Sequence, residues 1–324
     1  MRRLRGILLL LLPLLCLLPA FSETFKTFRI RKVGTSPNFI ALSPDGKRLY
    51  STSFGTDELL RVDLDKKVVA ESILIGSSPL GLAITDDGKT ALVACRDSST
   101  VAVVDLVKFK IVADIKVGGQ PNAIAMSHRG YRAYVTNFGR TKEGMLHIID
   151  IRERSVVSTI KMGISPFALV VSPVTERIYV VMGGSNEVWV VDPDQQTVIN
   201  KIAVGEAPDG IAITPDGKRI FVANSRSNDL SVIDTKLMRV QVTVPVGKMP
   251  FGVAVSPDGK RVFVVNAGAR TVSILPADLS SLEAESFDVD RGPTDIKIAP
   301  DNRTVYVANE LSNTLVVADV PPRP

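Results

Sequence analysis

The side chains that could do chemistry in this chain are few. Histidine is limited to His128 and His147, and cysteine to Cys16 and Cys95. With Cys16 set inside the apolar N-terminal run, His128, His147 and Cys95 are one ligand short of a Cys2His2 structural zinc site, and two histidines are too few for a multi-histidine catalytic metal centre. Cys-x-x-Cys-His, a GxSxG elbow and a Walker loop are all absent, which removes c-type haem attachment and the commonest hydrolase and nucleotide signatures. Neither histidine is placed for a Ser-His-Asp triad. Carboxylates, by contrast, recur at equivalent places: Asp63, Asp105, Asp150, Asp192, Asp234 and Asp319. A ring of carboxylates could hold cations. Their regular position points instead to Asp side chains closing turns on backbone N–H groups. The same holds for Asn137, Asn224, Asn266 and Asn309. Cys95 ends an apolar run and reads as an inert core thiol.

What positions these residues is a repeat. Units open at Val33, Ile75, Val117, Met162, Val204, Val246 and Val289, spaced by 42, 42, 45, 42, 42 and 43 residues. Glycine follows the opening residue in six units, Asp290 being the exception, and a proline comes four residues after it in all seven. Each unit contains short Val/Ile-rich runs with period-two alternation, such as Arg219–Asn224 and Leu230–Asp234, and no sustained helical stripe. Such runs are strands. Pro44-Asp45-Gly46, Pro215-Asp216-Gly217 and Pro257-Asp258-Gly259 are turns in which proline presets the first position and glycine supplies positive φ. In the fourth unit the turn is Pro173-Val174-Thr175, and Thr175 does not suit that conformation, so this turn is expected to be built differently.

Four strands in each of seven units define an all-β fold, a seven-bladed β-propeller of four-stranded antiparallel blades. The last unit shows three clear strands, so a strand within residues 25–33 is expected to complete it and close the ring. An apolar residue lies two before the opening residue in other units, but here that place is Arg31. A bulge near Arg31, or a shifted register, is expected.

The units resemble the YVTN β-propeller repeat family: Tyr134-Val135-Thr136-Asn137 matches the motif, and Phe221-Val222-Ala223-Asn224, Phe263-Val264-Val265-Asn266 and Tyr306-Val307-Ala308-Asn309 are variants. Ser53, Cys95 and Met182 depart from the asparagine. The resemblance covers about residues 33–320. It implies a bacterial cell-envelope or surface-layer type of propeller, with function on one loop face or in the central channel. Broader relatives include lactonase-type and haem-carrying propellers.

Because the scaffold does not dictate them, residues that differ between units are the candidate ligand-binding face. After the prolines these are Asn38, Asn122, Phe167, Asp209 and Phe251, with Asp295 in the last unit. After the second strand they are Phe54, Arg96, Phe138 and Glu310. The longer third unit adds Arg140 and Lys142. No catalytic residue and no cofactor are expected; a calcium or other cation in the channel is the alternative.

The N-terminus reads as an export signal: Arg2, Arg3 and Arg5, an apolar run over Ile7–Leu18, then Ala20-Phe21-Ser22, with cleavage expected after Ser22. The apolar run is shorter than a span needs. Residues 23–324 would then form a single propeller domain in the periplasm or outside the cell. Cleavage removes three of the 39 basic residues and none of the 34 acidic ones, leaving 36 against 34, a charge of +2. That is a weak footprint for nucleic acid, although Phe54, Phe138, Phe167 and Phe251 could stack bases. The expected protein is a monomeric, non-catalytic scaffold for a protein, glycan or small molecule. The alternative is a lactonase-like hydrolase, or a metal- or haem-accessory protein, with a carboxylate-lined channel.

Overall fold

The computed structural model describes residues 25–138 and 143–321. The expected signal with its cleavage point, and Arg140 and Lys142, lie outside the described residues. Among those residues the chain forms seven four-stranded antiparallel sheets. The inner strands of blades 1 to 7 are β2 (Pro37–Leu42), β6 (Pro79–Ile84), β10 (Pro121–Met126), β14 (Pro166–Val171), β18 (Pro208–Ile213), β22 (Pro250–Val255) and β26 (Pro293–Ile298). The outer strand of blade 7 is β1 (Lys26–Arg31), paired antiparallel with β28 (Thr314–Asp319). The N-terminal strand therefore closes the ring: it covers β28 and becomes the outer edge of blade 7, as β5 (Val68–Leu74) does in blade 1.

The closing ladder decides between the two expectations at Arg31: there is no bulge, and the register to Val33 is shifted by one residue. Pairing runs unbroken from Lys26 opposite Asp319 to Arg31 opposite Thr314, with no bulge at Arg31. The extra residue is Lys32, just beyond the ladder, at φ +61°. A left-handed lysine costs on the order of 1 kcal/mol. The turn it makes lets both Ile30 (2 % exposed) and Val33 (0 %) enter the core, and burying each is worth about 1.5–3 kcal/mol.

The core lies between blades. Tyr50, Tyr134, Tyr179, Phe221 and Phe263, all from second strands, are fully buried. Tyr50, for example, packs with Leu82, Ala91 and Val93 of the following blade. Large aromatics suit this place because wedge-shaped gaps between twisted sheets need bulk.

Turn chemistry follows the sequence. Gly46, Gly88, Gly130, Gly217 and Gly259 all have φ between 68° and 77°. The fourth hairpin differs: Glu176 N–H bonds Ser172 O, one residue further than the Gly46-to-Ser43 closure of blade 1. Glu176 itself takes the left-handed position, at φ +59°. Its buried carboxylate then accepts the Ser127 hydroxyl of blade 3 at 2.7 Å. The third-strand aspartates cap turns: Asp105 accepts the Val107 and Lys108 amides, and Asp234 those of Lys236 and Leu237. Asp319 instead pairs with Arg303 at 3.2 Å.

On the opposite face, side chains staple blades together. The left-handed residues Asp57, Asn186, Asn228 and Asn313 accept the backbone N–H groups of Ser78, Ala207, Met249 and Ser36. Each bond joins a loop between second and third strands to the entry of the next blade. The last one joins blade 7 to blade 1.

Candidate functional site at the channel mouth

Every inner strand slips register by one residue just after its proline: between Pro37 and Ile40, Pro79 and Leu82, Pro121 and Ile124, Pro166 and Leu169, Pro208 and Gly210, Pro250 and Val253, and Pro293 and Asp295. Proline begins the strand without an N–H to donate, and a bulge beside it re-aims the next side chain. The re-aimed residues are Asn38, Leu80, Asn122, Phe167, Asp209, Phe251 and Thr294, the variable positions of the sequence. One physical device, repeated seven times, thus gathers the least repetitive residues at one end of the channel.

The next position on each strand narrows the axis. It is Phe39, Gly81, Ala123, Ala168, Gly210, Gly252 and Asp295, and all seven line an axial cavity of about 210 Å³. Five of the seven are small because the inner strands crowd together. A Cβ on Gly210 would sit 1.8 Å from the Phe251 carbonyl oxygen, and one on Gly252 would sit 2.6 Å from that of Thr294. Phe39 and Asp295, in neighbouring blades, are the two large residues.

Asp295 belongs to the wall. It is 7 % exposed, accepts the Ile40 N–H at 2.9 Å, and holds Lys297 Nζ at 2.8 Å from each carboxylate oxygen. Its neighbour Thr294 donates its hydroxyl to Asn38 O at 2.8 Å. Asn122 is likewise structural: it is buried, and its amide donates to Phe167 O at 3.2 Å.

Phe138, Phe167 and Phe251 form one cluster. Phe167 lies 5.8 Å from Phe138 at 39°, and 5.8 Å from Phe251 edge-to-face at 88°. Phe167 and Phe251 flank the strand that carries Asp209. Burial raises the Asp209 carboxyl above its ordinary value, because desolvation penalises the charged form. Ser225 opposes this in part, although its hydroxyl also donates to Ala207 O at 3.0 Å. Glu310 opens a short 3₁₀ turn (Glu310–Ser312) and is also raised by burial. Phe54 is half-buried, its amide bonded to Ser36 O. Arg96 is half-buried too, and its Nε lacks a hydrogen-bond partner. The structure therefore brings Phe138, Phe167, Asp209 and Phe251 together and commits Asn122 and Asp295 to the scaffold. Lys297 and Phe39 escaped the sequence reading. Their signal was available, since each replaces a repeated residue class at the channel.

His147 is buried. Asn137 donates its amide to Nε2 at 3.2 Å, and Nδ1 donates to Thr159 Oγ1 at 2.9 Å. The equivalent places in blades 5 and 6 hold Ser231 and Ser273, bonded to Asn224 and Asn266. His147 is thus a scaffold variant of those serines. Cys95 is fully buried, and its thiol is pushed up to about 11 by desolvation. Among the described residues, no three His, Cys, Asp or Glu gather as metal ligands. A larger hollow of about 730 Å³ between the turns of blades 6 and 7 is lined by Asp258, Asp278 and Asp301. All three are already occupied with turn amides.

This architecture defines a β-propeller protein, and sequence and structural comparisons agree. A family model described as YNCE-like beta-propeller matches residues 168–267, from the inner strand of blade 4 to the second strand of blade 6. No curated protein matches the sequence significantly. Among solved structures, a chain of the Kuenenia stuttgartiensis hydrazine synthase superposes with a TM-score of 0.82 at 23 % identity, covering 90 % of this chain and 97 % of that one. A functionally unknown protein from Desulfotomaculum acetoxidans DSM 771 superposes at 0.72 with 19 % identity, covering 82 % and 90 %. Identities this low speak for the fold alone. Among the described residues, no helix is long and apolar enough to cross a membrane.

Proposed function

We propose that this propeller is an exported, non-catalytic binding scaffold that takes a protein, glycan or small-molecule partner through the loop face and the mouth of the channel. The observation that carries this is the register slip shared by all seven inner strands. It turns the non-repeating residues into one concave, mixed aromatic and acidic surface, the composition typical of binding sites. Export rests on the basic and apolar N-terminus, and assignment to the YVTN type on the second-strand motif. Immobilised protein, intact and as Phe167→Ser and Phe251→Ser variants with native circular dichroism, tests the scaffold. Ligands retained from an envelope extract and lost by the variants are expected. Identical retention by all three proteins would sink the assignment of this face.

A second function, enzymatic or cofactor-handling, is favoured by one observation: Asp209 is a desolvated carboxyl suited to holding a proton. The fold shared with a chain of a hydrazine synthase is compatible with it. Metal and chromophore analysis of protein isolated from its native source tests it. A stoichiometric group lost on Asp209→Asn would support this function over a pure scaffold.

A further inference from the structure

We infer that the channel mouth binds a small organic ammonium ion, held between the Asp209 carboxylate and the rings of Phe167 and Phe251. The inference rests on the binding function proposed above and names the ligand chemistry for that face.

Charge decides the sign of the ligand. Among the described residues, the ionisable side chains lining the axial cavity are two acids, Asp209 and Asp295, and one base, Lys297. Lys297 and Asp295 neutralise each other at 2.8 Å, and Asp295 is further tied to the Ile40 amide. Asp209 is the charge left over. Among the described residues no lysine or arginine forms a salt bridge with it, and the neutral Ser225 is a polar neighbour.

The rings decide the kind of cation. A cation over an aromatic face within about 6 Å is attracted by the ring quadrupole, most strongly when both partners are shielded from water. Phe167 and Phe251 line the cavity together with Asp209 and stand at 88° to each other, so two rings offer faces in different directions beside one carboxylate, with Phe138 packed on Phe167 at 39°. A hydrated metal ion gains little from such walls; an ammonium carrying alkyl groups gains from both the charge and the apolar surface. The cavity of about 210 Å³ suits it, compared with roughly 30 Å³ for each water it would displace. Burial raises the Asp209 carboxyl, and a bound cation would reverse that shift. Binding is therefore expected to release a proton near the carboxyl's own titration.

The probes are choline and its neutral isostere 3,3-dimethyl-1-butanol, titrated calorimetrically into the full protein. Choline is expected to bind at least about tenfold more tightly than the isostere, the scale of a partly desolvated cation–π contact with a carboxylate. Asp209→Asn should erase the preference, and Phe167→Leu with Phe251→Leu should reduce it while keeping apolar volume. Equal binding of the two probes, a preference that survives Asp209→Asn, or no saturable binding of either overturns the inference. If the cation fails while Phe167→Ser and Phe251→Ser still lose the extract ligands, the scaffold function stands and only its ligand chemistry is wrong. If both fail, both fall.

Discussion

Arg29 donates to Asp290 at 2.8 Å, across 261 residues of sequence. Asp290 is the one residue after a unit's opening position that is not glycine. It also accepts the Thr314 hydroxyl at 2.7 Å, so the break in the repeat is part of the closure of the ring. The pair is open to water, with Arg29 39 % exposed, and its energy is small. A double-mutant cycle of Arg29→Ala and Asp290→Ala should give a coupling of about 0.5 kcal/mol. That coupling should fade at ~1 M salt, where screening acts within about 3 Å. Ile30→Ala, in the same strand but in the core, should cost about 2–4 kcal/mol. Urea unfolding followed by circular dichroism separates the two.

Glycines in the channel wall and in the loops should fail for different reasons. Gly210→Ala drives a Cβ into the Phe251 carbonyl and should cost about 1–3 kcal/mol by overpacking. Gly118→Ala meets no atom within 4 Å, and only its φ of +67° opposes the change. About 1 kcal/mol is expected there. Thermal unfolding of both variants checks the order.

His147 makes stability depend on pH. Burial lowers its affinity for a proton below the ordinary histidine value of 6.5, so the unfolded chain binds more protons than the native one. The contribution is fully present above pH 6.5 and is lost as pH falls through the lower folded value. His147→Ser supplies in place of the imidazole a hydroxyl of the kind that Ser231 offers Asn224 and should flatten that part of the profile. Urea midpoints measured from pH 7.5 downward report it. An unchanged profile would show that another group is responsible.

The Cys95 thiol, buried and raised to about 11, should resist alkylation at neutral pH until the protein unfolds, since the thiolate is the reactive form. Peptide mass spectrometry after a timed iodoacetamide pulse measures this. Rapid labelling of native protein would contradict the burial.

Blade number, strand order and closure were legible because each strand alternates with period two and each unit opens on the same residues. The β1 register was not, since no residue type in the Arg31-Lys32 pair places the extra residue at Lys32 rather than at Arg31. The aspartate series read correctly as turn chemistry, Asp319 excepted, whereas the asparagine series did not. Asn137 accepts the Gln120 N–H, but Asn224 and Asn266 donate their amides to third-strand side chains and their Oδ1 atoms close no turn. The candidate face was legible only as a set of exceptions. Sequence did not separate Asp209, which has no partner of opposite charge among the described residues, from Asp295, bound to Ile40 and Lys297. That difference depends on which neighbouring strand each side chain reaches, and the register slip after proline controls it.

The most direct measurement is hydroxyl-radical footprinting of the protein with and without the ligand it retains. Protection of Phe138, Phe167 and Phe251 at the channel mouth is the expected result. Protection centred instead on the opposite face, around the turns at Pro44, Pro215 and Pro257, with the three phenylalanines unchanged, would contradict the site.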